Sequence, residues 1–340
     1  MIEIKNLTRR YGSYLAVDGL SLKLNNGRIY GLLGPNGAGK STTMNMLTGC
    51  LEPSEGCVRI NGFDVFDEPL KAKKCIGYLP EQPPLYEEMT PFEYLRFVAD
   101  AKGISYERGL RQIHEVMELT CVDTVKDRLI QNLSKGTRQR VGIAQALIGN
   151  PDIVVLDEPT VGLDPKQITE IRALIRRLGE LKKTVIVSSH ILAEIEELCD
   201  HVIILAEGRV VANAPIDELK AQTAQRLRLK LSVRGDAAGV ANALLAIKEI
   251  EDCCVDDQNA SGVVELSITA DAREDLRDRI FFALAEKRYA VLSMESTSET
   301  LESIFLSLTE KSERIASQRK KGGALPERDG EYELIDEEEC

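Results

Sequence analysis

The eight residues Gly34–Ser41 constrain the fold of this chain more than any other segment. Their sequence, GPNGAGKS, matches the pattern G-x-x-x-x-G-K-[ST], which requires a strand before it and a helix after it. Both are predicted, because the apolar run Ile29–Leu33 precedes the motif and a helical pattern follows it. Backbone N–H groups in such a loop point at an anion, and the helix N-terminus adds partial positive charge. The motif therefore predicts a phosphate site in an α/β fold.

A pair of acidic residues ends another predicted strand. The run DIVVL is followed by Asp157 and Glu158, and ligands gather at the carboxyl ends of strands in open α/β sheets. Asp157 and the Ser41 hydroxyl are suited to Mg²⁺, and Glu158 to polarising a water molecule. Lys40 should reach the β- and γ-phosphates. We predict a nucleotide contacted by Gly34, Pro35, Asn36, Gly37, Ala38, Gly39, Lys40, Ser41 and Thr42.

Strand-like and helical patterns alternate along residues 1–220, which predicts one α/β unit with a mostly parallel sheet. The strand-like runs are IYGLLG, CIGYLP, DIVVLDEP, TVIVSSH and HVIILA. The segment of about 91–150 shows apolar residues only at helical spacing, which predicts a helical insert. Glu207 and Gly208 separate two strand-like runs and predict a hairpin turn.

A second, smaller unit is predicted over residues 226–310. Its patterns follow the order strand, helix, strand, strand, helix, strand, which is typical of a small α+β ferredoxin-like domain. TLESIFLSLTE, residues 300–310, is predicted to be a final helix. Residues 312–340 end in EYELIDEEEC and are expected to be a disordered acidic tail.

The composition limits the possible partners. The formal net charge is −12, so no nucleic acid is expected, and contact with an anionic membrane should go through another protein. No run approaches the roughly 18–20 apolar residues of a membrane span, and the start lacks a secretion signal. The eight cysteines form no CxxC pair. They are expected to be small buried residues in a reducing cytosol rather than a metal site or disulfide frame.

Five further motifs carry a resemblance to a known family. The segment Leu133–Arg140, LSKGTRQR, resembles the signature motif of ATP-binding-cassette (ABC) ATPases, usually LSGGQ. Gln82 matches the Q-loop of that family, Asp164 its D-loop and His190 its switch histidine. Tyr11 matches the aromatic residue that stacks on adenine. These motifs occur in the order of the family over residues 1–220.

The resemblance implies an ATP- and Mg²⁺-dependent hydrolase whose active site is shared by two cassettes. Ser134 and Gly136 of one cassette would contact the γ-phosphate held by the other. Gln82 would join the metal shell and touch a membrane partner, and His190 would orient the attacking water. ATP would close the dimer and hydrolysis would reopen it. The catalytic set is therefore expected to be Lys40, Gln82, Glu158 and His190, with Ser41, Gln82 and Asp157 at the metal.

The signature departs from the usual pattern at two positions. Lys135 replaces the first of two glycines, and Thr137 replaces glutamine. Because Ser134 and Gly136 remain, the γ-phosphate contacts are expected to survive. The consequence of Thr137 is left open.

The family performs several tasks, and the sequence favours transport. Relatives that maintain DNA carry long coiled coils or zinc modules between loop and signature, and ribosome-acting relatives carry two cassettes. Neither feature occurs here. Residues 16–49, 55–65 and 300–310 resemble ATPase subunits of bacterial exporters whose transmembrane subunits are separate chains. An importer motor, or an ATPase acting on nucleic acid or ribosomes, remains an alternative.

An exporter motor implies specific partners and a place in the cell. We expect a second cassette, identical or not, and a separately encoded transmembrane subunit. A groove near Gln82, Tyr86 and Met89 is predicted to receive a cytoplasmic helix of that subunit. The chain would be cytoplasmic and peripheral on the inner face of the cell membrane.

Overall fold

The computed structural model describes residues 1–224, 226–258, 262–271, 276–298 and Phe305. The strands of the first unit are β1 (Ile2–Tyr11), β2 (Tyr14–Leu24), β3 (Ile29–Leu33), β4 (Glu55–Ile60), β5 (Phe63–Asp64), β6 (Ile76–Leu79), β7 (Ile153–Leu156), β8 (Thr184–Ser189), β9 (His201–Ala206) and β10 (Arg209–Pro215). Its helices are α1 (Lys40–Leu47), α2 (Pro69–Lys74), α3 (Pro91–Ala101), α4 (Tyr106–Leu119), α5 (Lys135–Leu147), α6 (Pro165–Glu180), α7 (Leu192–Leu198) and α8 (Ile216–Ala224).

A six-stranded sheet in the order β10-β9-β3-β8-β7-β6 forms the centre of this unit. All neighbouring pairs are parallel except β9 and β10, which confirms the predicted sheet. The hairpin between β9 and β10 turns at Glu207 and Gly208, both with positive φ, as a two-residue hairpin loop requires. Because β3, β7 and β8 run the same way, the segments after Leu33, Leu156 and Ser189 meet at one edge.

Both faces of the central sheet are covered, which explains why its strands are continuous apolar runs. On one face a core of β-sheet and α1 side chains includes Ile153 and Val155. On the other face Val154 and Leu156 join a core built with helices α3 to α7. The first core is closed by an antiparallel sheet in the order β2-β1-β4-β5.

The predicted helical insert is confirmed. The fully described stretch from Leu79 to Ile153 contains helices and no strand. At the start of α3, Thr90 Oγ1 accepts a hydrogen bond from the Glu93 N–H, and the Glu93 carboxylate accepts one from the Thr90 N–H. This reciprocal cap gives the backbone N–H groups of Thr90 and Glu93 each a hydrogen-bond acceptor, and it fixes where the insert begins.

The second unit comprises β11 (Arg226–Arg234), α9 (Ala237–Leu245), β12 (Ile250–Gln258), β13 (Val263–Asp271), α10 (Arg277–Glu286) and β14 (Ala290–Ser298). Its sheet is antiparallel in the order β12-β13-β11-β14. This is the predicted order of elements, and a separate core lies between the sheet and the two helices. Residues 226–310 as the bounds of a domain, the final helix as a whole and the tail at 312–340 remain predictions, since most of residues 299–340 lie outside the described residues.

One expectation about the cysteines is wrong. Of the seven cysteines at described positions, only Cys199 is buried, and Cys50, Cys121 and Cys254 are exposed. They therefore do not act as a set of small core residues. Within the described part of the chain, no helix has both the length and the hydrophobicity needed to cross a bilayer.

Candidate active site

The loop before α1 is a tight cradle for an anion. A Cβ atom on Gly34 would lie 2.4 Å from the carbonyl oxygen of Leu205, so only glycine fits there. Gly39, at φ 100, is the N-cap of α1 and supplies no side-chain cap, and the first turn of α1 contains no acidic residue. The first N–H groups of the helix are thus left to bind a negative group. Asn36, Gly37 and Ser41 are exposed, whereas Ala38 is buried.

Lys40 is the charged centre of this loop. Its side chain is 7% exposed, and Nζ donates hydrogen bonds to the carbonyl oxygens of Gly34 (2.7 Å) and Pro35 (3.2 Å). Nζ also lies 3.7 Å from Oε1 of Glu158. A buried ammonium group needs such partners, and a phosphate could replace the two carbonyls.

Asp157 and Glu158 are fixed by the neighbouring strand β8. The Ser188 hydroxyl donates to Asp157 Oδ1 at 2.6 Å and accepts from the Glu158 N–H at 2.7 Å. Glu158 has φ 46, in the left-handed region that non-glycine residues rarely adopt. The single hydroxyl of Ser188 therefore holds the side chain of Asp157 and the backbone of Glu158.

His190 lies on the other side of Glu158. Its Nδ1 atom is 3.0 Å from Oε2 and 3.1 Å from Oε1 of that carboxylate. A carboxylate only accepts, so Nδ1 carries the proton and Nε2 is left for a second partner. The structure thus brings together Lys40, Glu158 and His190, three of the four residues predicted to be catalytic.

The residues suited to Mg²⁺ are hard oxygen donors. Asp157 uses one carboxylate oxygen for Ser188, and its other oxygen remains for a cation or its water shell. Ser41 presents an exposed hydroxyl on the first turn of α1. These groups fit a magnesium ion. Close by on β6, the Tyr78 hydroxyl donates to Asn45 Oδ1 at 3.1 Å, and burial, aided by the Asp157 charge, raises the pKa of Tyr78.

The segment Leu133–Arg140 begins α5. Ser134 is the N-cap, and its hydroxyl oxygen accepts from the Thr137 N–H at 3.3 Å and lies 2.8 Å from Thr137 Oγ1. Gly136 is buried, and a Cβ there would lie 2.5 Å from the Gln167 side chain. Asp164 caps α6 by accepting from the Gln167 N–H at 2.9 Å. The start of α5, with Ser134 and Gly136, therefore packs against the start of α6, which Asp164 caps.

Comparison with known proteins identifies the family. Residues 17–161 match the family described as ABC transporter. Over 310 residues the chain is 31% identical to the linearmycin resistance ATP-binding protein LnrL of Bacillus subtilis (strain 168), covering 91% of this chain and 98% of that protein. The chain belongs to the ATP-binding proteins of ABC transporters. It is also 40% identical over 238 residues to the bacitracin transport ATP-binding protein BcrA of Bacillus licheniformis, covering 70% of this chain and 77% of that protein.

The first unit is an ABC ATPase cassette. It resembles the dimeric structure of a post-hydrolysis state of an ATP-binding cassette bound to ADP and Pi, with a TM-score of 0.58 and 28% identity over 64% of this chain and 99% of that one. ATP hydrolysis is general to ABC ATPases of this fold.

Tyr11 and Gln82 lie at the surface of the cassette. Tyr11 is 47% exposed, pairs with Tyr14 across the hairpin, and has the Arg9 guanidinium 4.9 Å from its ring centroid. The Tyr14 hydroxyl is 3.4 Å from the carbonyl oxygen of Gly37. Tyr14 therefore contacts the phosphate loop, and the sequence analysis did not single it out. Gln82 is exposed in the loop after β6, and its link to the metal remains a prediction.

An aromatic group lies at the predicted groove. Tyr86 is exposed, and its ring contacts the rings of Tyr94 (5.9 Å) and Phe97 (5.3 Å). Met89 packs partly buried against the core of the insert. An apolar surface therefore lies between the loop after β6 and α3.

Several polar residues of the site were missed by sequence reasoning. Ser188 and Ser189 follow the apolar residues of β8, and two polar residues ending a buried strand are the signal that could have found them. Thr160 and Glu194 are also buried and hydrogen-bonded to each other. Glu194 lies in a short helix with other acidic residues, so no sequence signal separates it from a solvated glutamate.

Proposed function

We propose that this chain binds and hydrolyses ATP to power export of a substrate through a separate transmembrane subunit. The observation that carries the proposal is the convergence of Lys40 and His190 on the buried carboxylate of Glu158. That arrangement places a cation for phosphate, an acceptor for a water proton and an orienting imidazole at one sheet edge.

The chain's own residues would act in a defined order. The N–H groups of α1 and Lys40 bind the β- and γ-phosphates once Lys40 releases the carbonyls of Gly34 and Pro35. Glu158 accepts a hydrogen bond from the attacking water and polarises it toward the γ-phosphorus, and His190 keeps that water and carboxylate aligned. The products are ADP and phosphate. Mg²⁺ held by Ser41 and Asp157, with Gln82 in its shell, would neutralise charge on the phosphate oxygens.

The proposed site is completed by a second cassette. Ser134 and Gly136 would meet the γ-phosphate held by the partner cassette, with Asp164 at the same interface, and Tyr11 would stack on adenine. The similar cassette described above is dimeric and holds ADP and Pi, which supports this arrangement. ATP would then favour the closed dimer because it contacts both subunits only in that state.

Export is favoured over import by the relatives. LnrL is named for linearmycin resistance and BcrA for bacitracin transport. The alignment with LnrL covers 98% of LnrL and 91% of this chain, so it includes part of the second unit of this chain. The exposed ring of Tyr86, beside Phe97, Met89 and Gln82, would receive a helix of the transmembrane subunit. The chain would then lie in the cytoplasm against the inner face of the membrane.

The proposal is tested with inverted vesicles that contain this chain and the transmembrane subunit encoded with it. ATP should drive uptake of a labelled amphiphilic antibiotic into wild-type vesicles, and vesicles with Lys40→Ala should take up none. Asp152→Asn, at the opposite end of β7 from Glu158, is the control and should behave as wild type. Uptake by the Lys40→Ala vesicles at the wild-type rate would refute the motor role.

A further inference from the structure

Glu194 is a buried charged residue that the mechanism above does not use. It lies on α7, four residues after His190, and is 6% exposed. Its Oε2 atom accepts hydrogen bonds from Thr160 Oγ1 at 2.9 Å and from Ser189 Oγ at 3.0 Å. Its Oε1 atom lies 3.3 Å from Nη2 of Arg172. One carboxylate therefore joins the segment after Glu158, the residue before His190 and helix α6.

Each of the three segments carries a residue of the proposed active site. Thr160 follows Glu158 by two residues, and Ser189 immediately precedes His190. Arg172 lies on α6, which begins at the N-cap Asp164. Glu194 is thus connected to the catalytic carboxylate, the switch histidine and the D-loop through their own segments.

Both carboxylate oxygens of Glu194 must accept hydrogen bonds, because all of the partners described above are donors. The hydroxyls of Thr160 and Ser189 donate to one oxygen, and the Arg172 guanidinium can only donate to the other. Ser189 Oγ in turn accepts from the Ile191 N–H at 3.0 Å, which fixes the backbone after His190. An apolar side chain could fill the same space at lower desolvation cost, so packing alone does not explain a carboxylate here.

We propose that Glu194 is a positioning residue for ATP hydrolysis. It ties the His190 loop to the segment after Glu158, so that His190 Nδ1 stays about 3.0 Å from the Glu158 carboxylate. It acts through Ser189 and Thr160 and makes no contact of its own with the nucleotide. This inference rests on the proposed function, because it names a further residue of that reaction.

The first test is Glu194→Gln, with Glu196→Gln on the same helix as the control. The amide keeps the size of the side chain but presents a donor to partners that are themselves donors. We expect kcat for ATP hydrolysis to fall about 10- to 100-fold, the range seen when an orienting partner of a catalytic group is lost. The dissociation constant for ATP should stay within about twofold, because the phosphate loop is untouched, and Glu196→Gln should match wild type.

A second measurement reads the position of His190 directly and does not depend on turnover. The chain has three histidines, so their imidazole NMR signals can be assigned by substitution. In Glu194→Gln the His190 signals should shift, while those of His114 and His201 should stay where they are. A variant that fails to fold would move all three, and Ser189→Ala, a smaller change, should then shift His190 alone.

The outcomes separate this inference from the proposed function. Wild-type turnover together with an unchanged kcat and unchanged His190 signals in Glu194→Gln would overturn the positioning role and leave the ATPase intact. A loss of ATP affinity as large as the loss of kcat would also overturn it. Absence of hydrolysis by wild type together with its partner subunit would overturn the proposed function and the role of Glu194 in it.

Discussion

At the scale of single residues, Glu158 is held by its backbone as well as by its side chain. A non-glycine residue at φ 46 carries conformational strain of about 1–3 kcal/mol that the surroundings must offset. The Ser188 hydroxyl does so by accepting the Glu158 N–H while donating to Asp157. Strain at a residue with this role is typical of active sites.

Ser188→Ala tests this bond. The substitution leaves the buried Glu158 N–H without its acceptor, and we expect a loss of about 1–3 kcal/mol in the free energy of unfolding. Without this bond the Glu158 backbone is no longer held, so the direction of the Glu158 carboxylate should vary. We therefore expect kcat to fall at least tenfold while ATP affinity changes little. Steady-state kinetics and urea unfolding measure both. Ser188→Thr, which keeps the hydroxyl, should recover part of the rate, and equal rates in the alanine variant and wild type would contradict the argument.

His201 predicts a specific pH dependence of stability. Burial lowers the pKa of its imidazole below the ordinary value near 6.5, and Nε2 is 2.7 Å from Asn213 Oδ1. Because the folded-state pKa is the lower one, the stabilisation that His201 contributes is complete above about pH 6.5 and is lost as the pH falls through the folded-state pKa.

His201→Gln, which does not titrate, is the comparison. The difference in unfolding free energy between wild type and His201→Gln should be constant between about pH 7 and 8. Below about pH 6 it should move in favour of the variant. A difference that stays flat down to pH 5, or that moves toward wild type, would show that the histidine is not held neutral.

At the scale of secondary-structure elements, the start of α5 explains how the unusual signature keeps its shape. Thr137 Oγ1 lies 2.8 Å from the Ser134 hydroxyl oxygen, and the Thr137 N–H is bonded to the same oxygen. The side chain of Thr137 thus adds a second contact to the Ser134 cap. The Lys135 side chain passes close over Gly162, since a Cβ atom built on Gly162 would lie 2.2 Å from Lys135 Nζ. Neighbouring groups thus accommodate both Lys135 and Thr137, the two departures from the common signature.

Substitutions of the Ser134 cap separate helix stability from nucleotide contact. Ser134→Ala should cost about 1 kcal/mol through loss of the cap, whereas Ser134→Asp should leave stability nearly unchanged because aspartate is an equally good cap. The added negative charge would repel a γ-phosphate. Thermal unfolding and ATPase assays should therefore show a stable Ser134→Asp protein without turnover, and turnover at the wild-type rate would contradict the proposed contact.

The elements show which parts of the fold a sequence can reveal. Continuous apolar runs identify β3, β6, β7, β8 and β9 because both faces of the central sheet are buried. The fixed spacing of the glycines and Lys40 identifies the phosphate loop. The glycines permit the tight turn of the backbone, and Lys40 supplies the positive charge. Contacts between distant segments, such as Ser188 with Asp157 or Tyr14 with Gly37, leave no local pattern. The antiparallel sheet was not predicted. Its β1–β4 pairing joins strands on either side of α1, and its β1–β2 and β4–β5 pairs are hairpins that the sequence analysis did not identify.

At the scale of the whole molecule, the cassette and the second unit have separate cores, and the chain returns to the cassette after the second unit. The second unit has its own core. Phe305, beyond β14, is partly buried against the core of the cassette that includes Ile216 and Leu219 of α8. The chain therefore leaves the cassette after α8 and touches it again after the second unit.

Phe305→Ala tests whether this return stabilises the cassette. Loss of a partly buried aromatic ring should lower the unfolding free energy of the cassette by about 1–3 kcal/mol. Calorimetry would show a lower Tm for the cassette transition. Phe281→Ala removes a half-exposed phenylalanine from α10 and should leave that transition in place. If both variants leave the cassette transition unchanged, the contact of Phe305 adds no stability.

The role of Glu158 in a site shared by two cassettes is tested most directly by comparing wild type with Glu158→Gln in ATP hydrolysis and in size-exclusion chromatography in Mg-ATP. The variant keeps the volume of the side chain and loses the charge that polarises water. We expect wild type to hydrolyse ATP, whereas Glu158→Gln should bind ATP, hydrolyse none and elute as a dimer. Turnover by Glu158→Gln at the wild-type rate, or a monomer at saturating ATP, would contradict that role.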